Sequence, residues 1–204
     1  MSTTGTLIGA FNIGGLPSVA TTTVNGTTFT GLSFSGPSVT SGNFSFTKPG
    51  GFSSINGATN ANPSFSLLSA QYRALLSSEA GSGRTSPITL TMSGLTEGAT
   101  YQFEWWSNDT VDTGAFITTA TAGGAVTLLS NTGGASGGLG QFALGTFVAD
   151  ATNVQTIVFS STGGPSIIDG IQLRQTVVPE PSTWALLSLG LPALLAFRRR
   201  NRKA

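Results

Sequence analysis

The stretch Ile88-Thr89-Leu90-Thr91-Met92, followed after a turn by Tyr101-Gln102-Phe103-Glu104-Trp105, decides the fold of this chain. In both stretches apolar side chains alternate with polar ones, and successive side chains of an extended strand point to opposite faces. Between the two stretches, Gly94 and Gly98 mark the point where the chain reverses. The pattern therefore predicts two β-strands that each bury one face.

Alternation of this kind recurs along the chain, between clusters of Gly, Asn, Ser and Pro that favour turns. The further candidate strands are Thr6 to Asn12, Thr28 to Phe34, Asn43 to Thr47, Ala125 to Leu129, Gln141 to Val148, Gln155 to Ser160 and Ile167 to Arg174. About nine short strands predict a mainly β fold, an antiparallel β-sandwich or jelly roll.

One short helix is predicted among these strands. Asn62 supplies an N-cap, Pro63 suits the first helical position, and Gly81 ends the helix. One apolar face follows the helical period, formed by Phe65, Leu68, Tyr72, Leu75 and Leu76. We expect this face to cover an end or an edge of the sandwich.

Composition argues against several classes of function. Charged residues form only 8% of the chain, against about 25% in ordinary domains. Residues 1–177 contain four Lys or Arg and seven Asp or Glu, a net charge of −3, which argues against nucleic-acid binding. The chain has no cysteine and no histidine, so it lacks disulfides, thiolate ligands and the commonest catalytic base. We therefore expect an extracellular β-protein with neither a cofactor nor catalysis.

The C-terminus has three ordered parts. Val178-Pro179-Glu180-Pro181 is followed by an apolar stretch from Thr183 to Phe197 and by a basic cluster over residues 198–203 that begins with Arg198, Arg199 and Arg200. The apolar stretch has no polar helical face, although its roughly 15 residues are short for a bilayer span. Cations beside a span stay on the cytoplasmic side, which predicts a membrane helix with the preceding body outside the cytoplasm.

Pro179-Glu180-Pro181, the apolar helix and the arginine cluster together resemble the PEP-CTERM sorting signal of exported bacterial proteins. The resemblance implies recognition by an exosortase-type membrane peptidase, processing near the Pro-Glu-Pro motif, and release or attachment at the cell surface. It also implies a link to exopolysaccharide and biofilm matrix. Residues 1–9 have neither a basic region nor an apolar core, so a secretory signal is expected upstream of Met1.

The body carries a second resemblance, spread over about half of the chain. Gly94 to Gln102, Trp105 to Asp109, Leu144 to Phe147 and Ile171 to Arg174 resemble a β-sandwich module common among PEP-CTERM proteins. That module is similar in outline to galactose-binding-like jelly rolls. The chain is thus expected to comprise a β-sandwich body over residues 1–177 and a sorting tail over residues 178–204.

The segment from Trp105 to Asp112 offers the most chemistry. On a strand its two indoles face opposite ways, so Trp105 should lie in the core and Trp106 should be more exposed. An exposed Trp106 beside Asn108, Asp109 and Asp112 would suit carbohydrate binding, with a flat apolar face and polar groups for hydroxyls. Alternatively, Trp106 packs under a loop while Asn108 and Asp109 hold a turn through side-chain-to-backbone bonds.

Other uses of these polar side chains remain open. Asn108, Asp109 and Asp112 could offer oxygens to Ca²⁺, but three side chains fall short of its six to eight ligands, so no metal site is predicted. Glu104 with Asp109 or Asp112 could form the carboxylate pair of a glycosidase.

Asp169 shares the strand parity of Ile167 and Ile171, and it should therefore point inward. A buried carboxylate needs a partner, and Arg84 or the backbone of a turn is the expected one.

These observations favour an exported, surface- or matrix-targeted, non-catalytic β-sandwich. A carbohydrate-binding module of the cell surface or exopolysaccharide is the alternative, and a secreted glycosidase is a lesser one. The expected partners are the exosortase, the membrane and a polysaccharide.

Overall fold

The computed structural model describes residues 1–15, 18–34, 36–55, 61–81, 86–111, 113–114, 116–162 and 164–176. These ranges form fifteen strands, one 3-10 helix (Phe65–Leu67) and one α-helix, α1 (Ala70–Leu76). The strands are β1 (Thr6–Gly15), β2 (Thr22–Val24), β3 (Thr27–Phe34), β4 (Ser38–Ser41), β5 (Phe44–Thr47), β6 (Ser53–Ile55), β7 (Glu79–Gly81), β8 (Ile88–Met92), β9 (Thr100–Ser107), β10 (Ile117–Thr121), β11 (Ala125–Leu129), β12 (Gln141–Val148), β13 (Gln155–Ser161), β14 (Ile167–Ile168) and β15 (Gly170–Thr176). The mainly β fold with one short helix is confirmed.

Two six-stranded sheets and a smaller three-stranded sheet of order β14-β7-β6 form the body. The first has the order β12-β9-β15-β1-β3-β2 and the second β11-β10-β13-β8-β5-β4. Their inner faces share one apolar core, to which the first sheet contributes Phe103 and Trp105 and the second Leu90 and Phe159. Trp105 meets Phe159 edge to face, with 5.0 Å between ring centroids. Alternation along β8 and β9 therefore fills the space between the sheets, as the sequence predicts.

Among the described strands the pairing is antiparallel with one exception. β1 and β3 run parallel from Phe11 beside Thr30 to Gly15 beside Phe34. The exception arises from the tight β2–β3 hairpin, whose Asn25 and Gly26 have φ of 49° and 78°, the signature of a type I′ turn. β2 lies at the edge of the sheet, and β3 lies between β2 and β1. Since β3 is antiparallel to β2, it runs in the same direction as β1.

The predicted start and end of the helix are wrong. The α-helix begins after Ser69, whose Oγ accepts a hydrogen bond from the Tyr72 backbone N–H at 3.2 Å. The expected cap at Asn62 and Pro63 precedes only a short 3-10 helix. Gly81 lies in β7 rather than at a helix end. A serine cap with its own hydrogen bond stabilises this later start.

The apolar face predicted for the helix does cover the sandwich. Leu75 and Leu76 join Phe65 in a second buried cluster on the outer face of the first sheet. That cluster also contains Ala10 of β1, Phe29 of β3 and Trp106 of β9, with Leu68 and Tyr72 packed against it. The first sheet is therefore covered on both faces near β9.

The sorting tail lies outside the described residues, including the helix predicted from Thr183 to Phe197. Within the described part of the chain, no helix has both the length and the apolar character needed to span a bilayer.

Candidate functional site

Trp106 lies on the outer face of the first sheet, opposite the core. Its side chain is only 2% exposed, so the expectation of an exposed indole is wrong and the alternative, in which Trp106 packs under another segment, agrees with the structure. The indole meets Phe29 edge to face at 5.6 Å, and its Nε1–H donates to the Tyr72 hydroxyl at 2.9 Å. Strand parity placed this side chain on the correct face, but α1 and the segment before it cover that face.

A cavity of about 330 Å³ lies next to this indole. Trp106, Tyr72, Leu139, Gln141 and Phe142 are among the residues that line it. The Phe142 ring is 51% exposed and lies roughly parallel to the Trp106 indole, with a centroid distance of 6.3 Å and an interplanar angle of 26°. The cavity is thus a mainly apolar recess with an accessible aromatic side chain at its mouth.

Two polar groups reach this cavity from different elements. Burial raises the pKa of the Tyr72 phenol, so its hydroxyl stays protonated and has a proton to donate while it accepts the Trp106 bond. Gln141 is exposed, and its Oε1 accepts a hydrogen bond from the Leu129 backbone N–H at 2.8 Å. Because the amide oxygen faces the Leu129 N–H, the NH₂ group of the same amide points away from Leu129.

Asn108 lies in the wall of the cavity, but both ends of its side-chain amide make hydrogen bonds to the backbone. Its Nδ2 donates to the Leu76 carbonyl at 3.2 Å, and its Oδ1 accepts from the Gly140 N–H at 2.7 Å. A Cβ at Gly140 would lie 1.9 Å from the Ser107 carbonyl oxygen, so this close approach requires glycine. Asn108 therefore joins the end of α1 to the segment that precedes β12.

Asp109 turns inward and holds a tight turn. Its Oδ1 accepts from the Val111 backbone N–H at 2.9 Å, and its carboxylate is buried. The alternative in which this residue holds a turn is confirmed, whereas Asn108 makes long-range contacts instead. Asp112 lies outside the described residues. Among the described residues, no group of three or more His, Cys, Asp or Glu is arranged to hold a metal ion.

Asp169 is fully buried, as expected. The single strand predicted from Ile167 to Arg174 is wrong, however, because Asp169 lies between β14 and β15, which belong to different sheets. Its Oδ2 accepts from the Asn108 backbone N–H at 2.6 Å, so the backbone is the partner that the structure shows; Arg84 lies outside the described residues. Burial, and next the neighbouring Glu79 carboxylate, raise the pKa of Asp169 well above its usual range. The Asn108 bond lowers that pKa in part, and Asp109 raises it further.

Glu104 is buried on the outer face of β9. Its Oε1 lies 3.1 Å from the Met1 amino group, and its Oε2 accepts from the Ser2 backbone N–H at 2.9 Å and from the Gln172 amide. This carboxylate is therefore surrounded by protein donors and does not face the cavity.

Sequence reasoning identified Trp106 and Asn108 as site residues but missed Tyr72, Gln141 and Phe142 as their neighbours. Tyr72 appeared only as part of the apolar helix face. The sequence did offer an indication of Phe142. Phe142 and Leu144 lie on one face of the predicted strand and Ala143 and Phe147 on the other, so both faces of that strand are apolar. Apolar residues on both faces indicate that something besides the core contacts the strand.

Comparison with known proteins identifies the tail. Residues 177–203 match the model of the PEP-CTERM protein-sorting motif. The motif implies a secreted, envelope-associated protein that an exosortase sorts. No curated protein matches the chain.

Solved structures similar to the body include two proteins of different kinds. One is the ANXUR1 extracellular domain from Arabidopsis thaliana, with 8% identity and a TM-score of 0.56 over 84% of this chain and 49% of that one. The other is β-glucuronidase 2 from Bacteroides uniformis, with 17% identity and a TM-score of 0.51 over 83% of this chain and 18% of that one. This chain thus spans about half of the first and less than a fifth of the second. At these identities the likeness concerns the fold alone.

Proposed function

We propose that this chain is an exported, non-catalytic β-sandwich that its PEP-CTERM tail targets to the cell surface or matrix. The match of residues 177–203 to the sorting motif carries the proposal. The tail would hold the precursor in the membrane with its body outside the cytoplasm, because the basic cluster after Phe197 favours the cytoplasmic side. An exosortase-type peptidase would then process it near Pro179-Glu180-Pro181.

The chemistry of the body supports a non-catalytic role. Glu104 and Asp109, which the sequence suggested as a glycosidase pair, are both buried, and Glu104 is held by the first residues of the chain and by Gln172. Catalytic carboxylates of a glycosidase must flank a bound glycosidic bond. We therefore expect the wild type to hydrolyse a panel of polysaccharides no faster than the rate without protein. A Glu104→Gln variant should give the same rate.

The sorting step is tested by changing the motif alone. Replacing Glu180 and its two flanking prolines with alanine leaves the body unaltered, so we expect the precursor to accumulate in the membrane fraction. Fractionation with an antibody against the body measures this, and Val154→Ala, a change in an exposed loop, serves as control. An altered motif with wild-type distribution and wild-type mass would contradict exosortase sorting.

Carbohydrate binding is a second candidate, favoured by the cavity beside Trp106. Exposed aromatic surface at Phe142 suits the C–H face of a sugar ring, while the Tyr72 hydroxyl and the Gln141 amide suit its hydroxyl groups. The ligand would be a neutral or acidic polysaccharide of the matrix, in keeping with the destination that the tail implies.

Binding is tested at Phe142, since this side chain is half exposed and its loss should leave the fold intact. On a glycan array, Phe142→Ala should lose at least about tenfold in affinity for any glycan that the wild type binds, or about 1.4 kcal/mol. Val154→Ala should bind as the wild type does. Absence of wild-type binding, or equal binding by Phe142→Ala, would exclude this site.

A further inference from the structure

β12 forms one edge of the first sheet. It pairs with β9 over all eight residues, from Gln141 beside Ser107 to Val148 beside Thr100, without a register shift. In the described part of the chain its other side pairs with no strand. Since alternate residues of an antiparallel strand direct their N–H and C=O groups to opposite sides, about half of these groups face the open side.

This edge lacks the usual features that prevent strand-to-strand association. Edge strands are commonly protected by short length, charged side chains, proline or a bulge. β12 has eight residues, no charge and no proline. The opposite edge of the sheet, β2, has only three residues. β12 also exposes three apolar side chains on its outer face, with Phe142 51%, Leu144 50% and Val148 62% exposed.

An apolar crevice of about 300 Å³ runs beside the same edge on its inner side. It lies between β12 and the second sheet, and its walls include Trp105, Val126, Ala143, Phe147 and Ile157. Apolar surface therefore borders the open edge on both faces of the strand. Such surface, next to unpaired backbone groups, is characteristic of a site that receives an additional strand.

We propose that β12 pairs in antiparallel fashion with β12 of a second copy of this chain, extending the first sheet across a twofold axis at Gly145. Around that axis Phe142 lies opposite Val148 of the second copy, and Leu144 lies opposite Thr146. On the inner face Ala143 lies opposite Phe147, so large side chains face smaller ones throughout. The second Phe147 then covers the apolar crevice. The paired edge includes Phe142, which also lines the cavity beside Trp106, so pairing would cover part of the proposed sugar site. The pairing itself requires neither sorting nor sugar binding.

Charge and backbone bonding favour a copy of the same strand as the occupant. An uncharged strand meets no like-charge repulsion when it pairs with itself, and pairing over seven residues forms roughly six to eight backbone hydrogen bonds. A twofold arrangement uses the same edge on both copies, so association stops at the dimer. Display of many copies on one surface would raise their effective concentration.

The absence of cysteine allows a direct test by crosslinking. At the twofold axis the two Gly145 Cα atoms would be about 4.5–5.5 Å apart, within the range that a disulfide spans. No atom lies within 4 Å of a Cβ built on Gly145, so Gly145→Cys is tolerated. Under mild oxidation of the purified full chain in detergent, Gly145→Cys should form a reducible dimer as its main product. Thr23→Cys, on the opposite edge, should remain monomeric.

A second variant separates pairing at this edge from random collision. Leu144→Lys brings two like charges close together across the axis, so it should weaken association by at least about tenfold and remove the Gly145→Cys crosslink. Val154→Lys adds the same charge elsewhere and should leave the crosslink unchanged. Equal crosslinking at positions 23 and 145, persistence of the dimer in Leu144→Lys, or assemblies larger than a dimer in sedimentation would each overturn the proposal.

Discussion

Trp106→Ala should destabilise the protein by about 3–5 kcal/mol, the usual cost of removing a large aromatic side chain from a packed core. The indole is almost fully buried in a cluster that includes Phe29, Phe65 and Leu75. The substitution removes these contacts and also leaves the Tyr72 hydroxyl without its indole donor. Since whole domains have stabilities of about 5–15 kcal/mol, this single change should remove a large part of the free energy of unfolding.

Urea titration of the purified protein, followed by circular dichroism, measures the effect. Tyr72→Phe isolates the hydrogen bond from the packing and should cost only about 1 kcal/mol. Phe142→Ala, on the exposed side of the same aromatic pair, should cost less than Trp106→Ala. If Trp106→Ala stayed within about 0.5 kcal/mol of wild type, the range of ordinary surface changes, the indole would be exposed, and this account of the site would be wrong.

Asp169→Asn should remove much of the dependence of stability on pH. The pKa of Asp169 is raised in the folded protein, chiefly by burial and next by Glu79, so the folded state retains a proton that the unfolded state releases. The contribution of Asp169 to the free energy of unfolding is fully present below the pKa that its carboxyl has in the unfolded chain. That contribution is lost as pH rises toward the higher pKa of the folded protein. The slope has an upper limit of about 1.4 kcal/mol per pH unit for one proton.

Asparagine preserves the oxygen that accepts the Asn108 N–H bond but does not titrate. We therefore expect the variant to be more stable than wild type at neutral pH, with a flatter profile from about pH 4 upward. Urea midpoints across this range test the prediction, and Glu97→Gln is a control because Glu97 is exposed. Parallel profiles for wild type and Asp169→Asn would show that Asp169 ionises as readily in the folded protein as in the unfolded one.

Sequence alternation predicted the long strands well, because burial of one face determines side-chain order along a strand. The bounds of β8, β11 and β12 agree with the prediction to the residue. Five strands were missed, namely β2, β4, β6, β7 and β10. β2 and β7 have three residues each, too few for a period-two pattern to stand out, and their pairing depends on distant segments.

The burial of Trp106 shows why the site was harder to predict than the fold. Strand parity assigns a side chain to a face, but it does not show what covers that face. The cover comes from α1 and Phe65, thirty or more positions earlier in the chain, and the Asn108 bonds to Leu76 and Gly140 are equally non-local. The helix bounds failed for a related reason, since Asn62-Pro63 and Ser69 both satisfy capping rules and tertiary packing selects between them.

The central claim is that the tail directs an exported body to the envelope, and the C-terminus of the mature protein tests it most directly. Intact-mass and C-terminal peptide analysis of protein recovered from the cell surface should find a chain that ends near Pro179-Glu180-Pro181 and lacks the arginines at 198–200. Recovery of the unprocessed chain, with Arg198 to Lys203 present and the body in the cytoplasm, would contradict the account.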